Sequence, residues 1–423
     1  SVPLQMTTVT YVRRLPSFAT RTTEANEDRF VREIIEHRLP NIITELRSYS
    51  RGLYSLDLHY ASLSKYERAL AVEDDIHARL LDNPCLATAL YRAELELESV
   101  FSVTAIPANQ FDSVAYVGSS SAGYGYVGNK RDNYLLARRR ATTNLANYRR
   151  HGPSMMFTPM KAYSRTQLAL RSHPKIRHVW GVPFHTILIE GLTAQPIIEN
   201  ILRNPCAIYI GKDMFKTLPF DARELLKDGE FLNCLDISAF DSSVNQFFID
   251  HFFDFVERCV TYPDEFTRLS LDYTRAFYRQ RPILMPDGRL YHCSTGVPSG
   301  SYFTQLLDSY VNLILMYYVQ LKLFKNTMKT YVLGDDSLFV SPTPATAQDY
   351  HSLLAPLGFT LNIEKSLITN DLSIAMFLGH NFRGTRLTRS DFTLACLALY
   401  TEDPVHSPDE SFIRLQSLFY DSA

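Results

Sequence analysis

Cysteine is scarce and scattered in this chain. Cys85, Cys206, Cys234, Cys259, Cys293 and Cys396 include no C-x-x-C pair, and no His pair lies near them. That excludes a disulfide framework and a zinc site and fits a reducing compartment. Long apolar runs are missing too. No uncharged run approaches the ~18 residues a membrane helix needs. The longest candidate, Ser309–Leu321, is interrupted by Asn312 and flanked by Asp308 and Lys322, and reads as a buried helix. No signal peptide is read at the start, and an opening Ser rather than Met reads as a processed chain or a fragment. Charge of one sign is lacking overall: 43 Lys and Arg face 45 Asp and Glu, so global basicity announces no polyanionic partner. G-x-x-x-x-G-K-[ST], H-E-x-x-H and G-x-S-x-G are all absent, as are repeats and low-complexity tracts. With 46% hydrophobic and 21% charged residues, the 423-residue chain reads as an ordinary globular protein of two or three domains.

The charge is segregated. From Ser113 to Ile189 twelve Lys or Arg residues accompany one acid, Asp132, a net +11 that leaves −13 for the rest. On charge alone this block is equally a polyanion-binding surface or a solvated face. Residues 24–50 read as helical, with Phe30, Ile34, Ile35 and Leu39 at helical spacing and the helix ended before Pro40. Periodicity further predicts helices within 62–100, 131–150, 243–260, 301–323, 345–355 and 391–400, and short strands over 153–190. Pro286-Asp287-Gly288 between strand-like flanks predicts a hairpin. The alternation of strands and helices gives a mixed α+β core with helical additions.

Three acidic positions stand out by context. Asp236 closes the apolar strand FLNCLD, and Asp241 follows five residues later past a tight turn. Asp335 and Asp336 occupy a hairpin tip inside TYVLGDDSLFV. Carboxylates at strand ends are costly to bury without cations, and two brought together suit a pair of hard divalent ions. Alone, Gly-Asp-Asp is also simply a good turn. It is not alone: GVPSGSYFTQLLDSYVN puts a Pro-Ser-Gly turn before an apolar helix carrying Thr304, Asp308 and Asn312 on one face. That polar stripe is either a satisfied core network or a ribose-reading surface.

The series DxxxxD, SGxxxT and GDD resembles the motif set of viral RNA-dependent RNA polymerases. GVPSGSYFTQLLDS and VLGDDSLF are similar to the partitivirus-like polymerases of small double-stranded RNA viruses. The resemblance covers about residues 105–420. It implies a right-hand fingers–palm–thumb fold with an antiparallel palm sheet like that of RNA-recognition domains. Residues 1–60 would be a helical extension bridging fingers and thumb, 61–200 and 250–295 fingers, 201–249 and 296–380 palm, and 381–423 an incomplete thumb. It implies RNA synthesis from NTPs on an RNA template, with two Mg²⁺ ions (Mn²⁺ as substitute) on Asp236, Asp335 and Asp336. Asp241, Ser299, Gly300, Thr304, Asp308 and Asn312 match the sugar-reading positions. Plus-strand relatives place Asn where this chain has Asp308, so either Asp308 or Asn312 is the partner of Asp241 or the sugar. Lys365 in NIEKS matches the lysine that protonates departing pyrophosphate, and Phe377-Leu378-Gly379 resembles the primer-grip turn. Arg165, Arg171, Lys175 and Arg177, before Trp180-Gly181-Val182-Pro183, resemble the motif that neutralises the incoming triphosphate. The loop SSSAGYGYVGNK resembles the one that admits template, with Ser119, Ser120, Ser121, Gly123 and Tyr124 on RNA. Expected partners are template and product RNA, NTPs and a viral capsid protein, in the virion interior and host cytoplasm.

Gly123, Gly125 and Gly128 spell G-x-G-x-x-G, but a dinucleotide site needs a βαβ unit and an acid about 20 residues on. His151, His173, His178 and His185 read as structural or phosphate-facing. Two alternatives stand beside polymerase: a catalytically silent RNA-binding virion protein, and a reverse transcriptase. The latter is expected to carry an apolar residue where this chain has Gly334.

Overall fold

The computed structural model describes residues 6–20, 26–51, 54–211, 214–383, 386–388, 391–401 and 405–422. Two sheets organise it. The first is antiparallel, with strand order Thr330–Leu333, Asp336–Ser341, Phe231–Cys234, Leu367–Thr369. Its apolar residues face two cores. Phe339 and Val332 join the main core, while Leu232, Cys234, Tyr331, Leu338 and Val340 pack with Tyr209, Leu218 and Phe377. Register fixes the chemistry: Phe339 pairs with Asn233 and Leu333 with Asp336. Continued past the last pair, it sets Asp236 across from Asp336 at one end of the sheet.

Helix Thr304–Phe324 lies against this sheet and is buried on all sides from Leu306 to Gln320. Polar side chains on such a helix are costly unless they find partners. Gln320 Nε2 donates to Thr330 Oγ1 at 2.8 Å, and Ser309 and Asn312 bond the acidic hairpin, whereas Asp308 Oδ1 and Asn312 Oδ1 are buried without a partner among the described residues. Truncating Leu306 or Leu313 would cost about 2–5 kcal/mol.

The second sheet has five strands in the order Val9–Arg14, Arg289–Cys293, Arg281–Leu284, Met160–Thr166, Ile176–Gly181. All its pairs are antiparallel except Met160–Thr166 with Arg281–Leu284. The expected hairpin at Pro286-Asp287-Gly288 is present, with Gly288 at φ 91°. Helix Lys130–His151 starts at Asn129, whose side chain accepts from Asp132 N, and Asn245 caps Gln246–Cys259 in the same way.

Three sequence expectations change. The helix expected to end before Pro40, with residues 24 and 25 outside the described ones, is Arg29–Arg38, and a second short helix, Ile43–Arg47, follows the proline. The core face of the first is Val31 and Ile35, with Ile34 and Leu39 exposed, because the partners Cys396, Leu399 and Tyr400 come from the far end of the chain. A long buried helix, Phe184–Arg203, runs where the strand-like reading ended. Pro196 inside it hid it, and Gly191 is needed there because a Cβ would lie 2.4 Å from Val114 Cγ1. Lys365 sits in a turn after strand Thr360–Leu361, not within a strand.

Candidate active site

The acidic cluster rests on backbone hydrogen bonds. Asp236 N donates to Ser366 Oγ at 3.0 Å, and Asn362 N donates to Asp236 O at 2.7 Å. Gly334 turns the hairpin at φ 59°, a conformation glycine adopts without cost. Its N–H donates to Ser309 Oγ at 2.9 Å, and Asn312 Nδ2 donates to both Gly334 O and Asp336 O at 3.0 Å. The helix beneath therefore grips the turn that carries Asp335 and Asp336. Desolvation, then the charges of Asp335 and Asp236, push Asp336 up to about 7. Desolvation and Asp241 raise Asp335, with Arg177 opposing. Among the described residues no three His, Cys, Asp or Glu side chains already converge on one metal-sized point. The donor chemistry nonetheless fits a hard cation: clustered carboxylates resist ionising together until positive charge arrives.

Asp241 follows a strained turn. Ala239 takes the left-handed region at φ 48°, and its carbonyl accepts from Ser243 N and from the Ser242 and Ser243 hydroxyls. Asp241 Oδ2 lies 3.8 Å from an Arg177 guanidinium nitrogen, and Asp241 O accepts from Val297 N at 2.8 Å. Asp308 is buried, and burial together with the Asp241 and Asp335 charges holds its carboxyl well above the usual range. Asn312, expected among the sugar readers, is fully buried, and its amide bonds two backbone carbonyls of the hairpin.

Ser299 Oγ donates to His178 O at 2.9 Å, and Thr304 Oγ1 donates to Pro298 O at 2.7 Å. Gly300 is a packing glycine, since a Cβ there would stand 1.8 Å from Trp180 O. The turn before helix Thr304–Phe324 is thereby pressed onto the strand that carries Arg177. Lys365 is exposed in the turn that bonds the Asp236 backbone, with its own N–H on Asn362 Oδ1 at 3.2 Å.

On the basic side, Arg165 and Arg177 face each other on paired strands, both exposed, and exposed Lys175 stands just before the strand of Arg177. Arg171 is corrected: its Nε donates to Arg47 O at 2.8 Å and its other end lies 3.9 Å from Glu27, so the N-terminal segment holds it. Burial keeps His178 and His185 neutral, pushed down to about 3 and about 4, whereas His151 and His173 are exposed.

In the glycine-rich loop Ser119 and Ser121 are exposed and Tyr124 half-buried. Lys130 Nζ donates to Ser120 Oγ at 2.7 Å, and Ser121 Oγ meets Tyr163 Oη at 3.1 Å. Gly123, at φ 91°, is buried against Pro183, so its role is fit rather than RNA contact. The loop follows a helical turn, Phe111–Ser113, not a strand, so the G-x-G-x-x-G is not a dinucleotide site. Ser309, Asn362 and Ser366 escaped the sequence reading, although Ser309 stands beside Asp308 on the stripe that was noticed.

A carboxylate-tipped hairpin in a small antiparallel sheet, faced by arginines from a second sheet, defines a right-hand nucleic-acid polymerase fold. The chain belongs to the viral RNA-dependent RNA polymerase family, whose model matches residues 34–407. It is 28% identical over 229 residues to the RNA-directed RNA polymerase of Cryptosporidium parvum virus 1, covering 50% of this chain and 41% of that one. It is 23% identical over 308 residues to that of Atkinsonella hypoxylon virus, covering 59% and 46%. It is 26% identical over 302 residues to that of White clover cryptic virus 1, covering 62% and 49%. The matches thus span about half the length of these curated relatives. The fold is similar to a crystal structure of a human picobirnavirus RNA-dependent RNA polymerase lacking an insertion loop, with TM-score 0.68 and 14% identity over 93% of this chain and 80% of that one.

Proposed function

We propose that this chain performs template-directed RNA synthesis, transferring nucleoside monophosphate from NTP to an RNA 3′-end with release of pyrophosphate. The supporting observation is the acidic hairpin on the sheet, where Asp335 and Asp336 lie near Asp236 and Asp241 and Arg177 stands 3.8 Å from Asp241. Asp236, Asp335 and Asp336 would hold two divalent ions, Mg²⁺ with Mn²⁺ as substitute. When bound, those ions lower the barrier by activating the 3′-hydroxyl and neutralising leaving-group charge. Asp241, with Asp308 close by, reads the sugar hydroxyl beside Ser299 and Thr304. Arg177, Arg165 and Lys175 attract and orient the triphosphate, a geometry that planar guanidinium forks suit. Lys365 donates a proton to pyrophosphate.

In this reading residues 201–249 and 296–380 are palm, 61–200 and 250–295 fingers, 381–423 thumb, and 1–60 the bridging extension. Template and product RNA, NTPs and a viral capsid protein are the partners, in the virion interior and host cytoplasm. Among the described residues no helix is long and apolar enough to cross a membrane.

The test combines purified protein, single-stranded RNA, four NTPs and Mg²⁺ or Mn²⁺, with and without primer. Template-length RNA product is expected. RNA binding with no synthesis would return the protein to the silent RNA-binding class, and a preference for dNTPs would make it a reverse transcriptase.

A further inference from the structure

Glu190 is a carboxyl with no place in the mechanism above. It sits on helix Phe184–Arg203, is 1% exposed, and among the described residues has no Lys or Arg in ion-pair contact. A charge-bearing group in such a place is expensive and needs hydrogen bonds to remain. Its donor comes from one turn. Ser301 Oγ donates to Glu190 Oε2, and Phe303 N in turn donates to Ser301 Oγ at 3.2 Å, while Glu190 Oε1 is buried without a partner among the described residues. Tyr278 Oη backs this contact by donating to Ser301 Oγ at 2.6 Å. Burial pushes Glu190 up to about 8, against the pull of the Ser301 hydroxyl.

The receiving turn begins helix Thr304–Phe324. The residue at the helix start, Phe303, provides no side-chain cap. The first N–H groups of a helix need an acceptor, and a carboxyl is a strong one. Here Phe303 N finds the Ser301 hydroxyl, which is itself held by a carboxyl on a different helix, 111 residues earlier in the chain. The same turn touches three parts of the cleft. Val297 N bonds Asp241 O, Ser299 Oγ bonds His178 O, and Gly300 packs on Trp180 O.

We propose that Glu190 is a positioning residue that, through the Ser301 hydroxyl, holds turn Ser299–Phe303 in the shape that reads the nucleotide sugar. This inference rests on the polymerase reading. It acts through Ser301 and the turn backbone, and Glu190 itself touches no substrate.

Glu190→Ala, Glu190→Gln and Ser301→Ala test it through NTP against dNTP discrimination and the split between KM and kcat. Glu190→Ala is expected to lower discrimination about tenfold and raise KM for NTP, because the turn loses its acceptor. Glu190→Gln keeps one acceptor oxygen and is expected to recover most of that discrimination. Ser301→Ala, which removes one hydroxyl, is expected to shift both parameters the same way by less, and stands in if Glu190→Ala does not fold. Hydrogen exchange of segment 296–303, expected to quicken in Glu190→Ala or Ser301→Ala, reads the turn without any activity. A purely structural Glu190 would lower the unfolding midpoint while leaving discrimination, KM and exchange of that segment within twofold of wild type, and that result overturns the proposal. Wild-type protein that incorporates no nucleotide defeats the polymerase reading instead, and unchanged exchange in both variants would still defeat the Glu190 assignment.

Discussion

The acidic floor of the cleft and its basic wall are held in place by opposite means. On the floor, backbone groups do the holding: Ser366, Ser309 and Asn312 bond main-chain atoms around Asp236 and Gly334 and leave the carboxylates open. On the wall, the charged side chains are themselves structural. Arg138 pairs with Asp112 and stacks on Tyr134, Arg140 bonds Gly125 O and covers Tyr126, and Lys130 ties Ser120 to Ser121. Lys161 covers Phe18, and Arg171 anchors the N-terminal segment. Charge therefore counts as function on the floor residue by residue, whereas on the wall a net +11 overstates what is free to meet a polyanion.

The floor should break most sharply. Asp335→Ala is expected to cut nucleotide incorporation by about 10³-fold or more, since several kcal/mol of charge stabilisation ride on the ions it would hold. RNA affinity, measured by titration in the same buffer, should stay within about twofold because the wall is intact. Activity within tenfold of wild type would remove Asp335 from the metal site. Lys365→Leu comes next. Lys365 is exposed in the turn bonded to Asp236, so its loss should spare folding and slow single-turnover addition by about 10²-fold, the lower end for a general acid. An unchanged single-turnover rate would make it a surface charge.

Asn312 sharpens the comparison between holding and reacting. Asn312→Ala leaves Gly334 O and Asp336 O without their donor, a loss of about 1–3 kcal/mol in a buried place. The hairpin tip should shift, and incorporation should fall about 10- to 100-fold. Discrimination between NTP and dNTP should remain as in wild type, whereas Asp241→Ala should reduce it. If Asn312→Ala erodes discrimination as much as Asp241→Ala does, Asn312 belongs to the sugar site after all.

What could be read from the sequence follows the same division. The carboxylates stand in short contiguous motifs whose turns are local, so FLNCLD, the Pro-Ser-Gly turn and GDD were legible together with the palm-like sheet they imply. The grip on those motifs was not. Asn312 meets Gly334 across 22 residues and Glu190 meets Ser301 across 111, distances at which periodicity says nothing. Arg171 was misread because its partner Glu27 lies in a segment outside the motif set. Helix Phe184–Arg203 was missed because Pro196 and Gly191 look like breakers until burial on all sides outweighs their propensity. Gly123 and Gly300 were read as ligand contacts, although their small size serves protein packing.

The smallest expected effect is the finest test of the wall. Arg139 and Arg140 are neighbours on helix Lys130–His151 with different surroundings. Arg139 is exposed and no acid pairs with it among the described residues, while Arg140 is half-buried on Gly125 O with its guanidinium 4.5 Å from the Tyr126 ring. Arg139→Ala should leave the unfolding midpoint alone and lower the slope of log affinity for RNA against log salt by about one, the share of a single phosphate contact. Arg140→Ala should do the reverse, loosening the glycine-rich loop and lowering the midpoint while changing the salt slope less. Salt titrations of both variants on one single-stranded RNA, alongside thermal unfolding, separate the two outcomes. Equal slopes for Arg139→Ala and wild type would mean that this face of the helix points away from RNA, and the wall would then reduce to the Arg165, Lys175 and Arg177 edge beside Asp241.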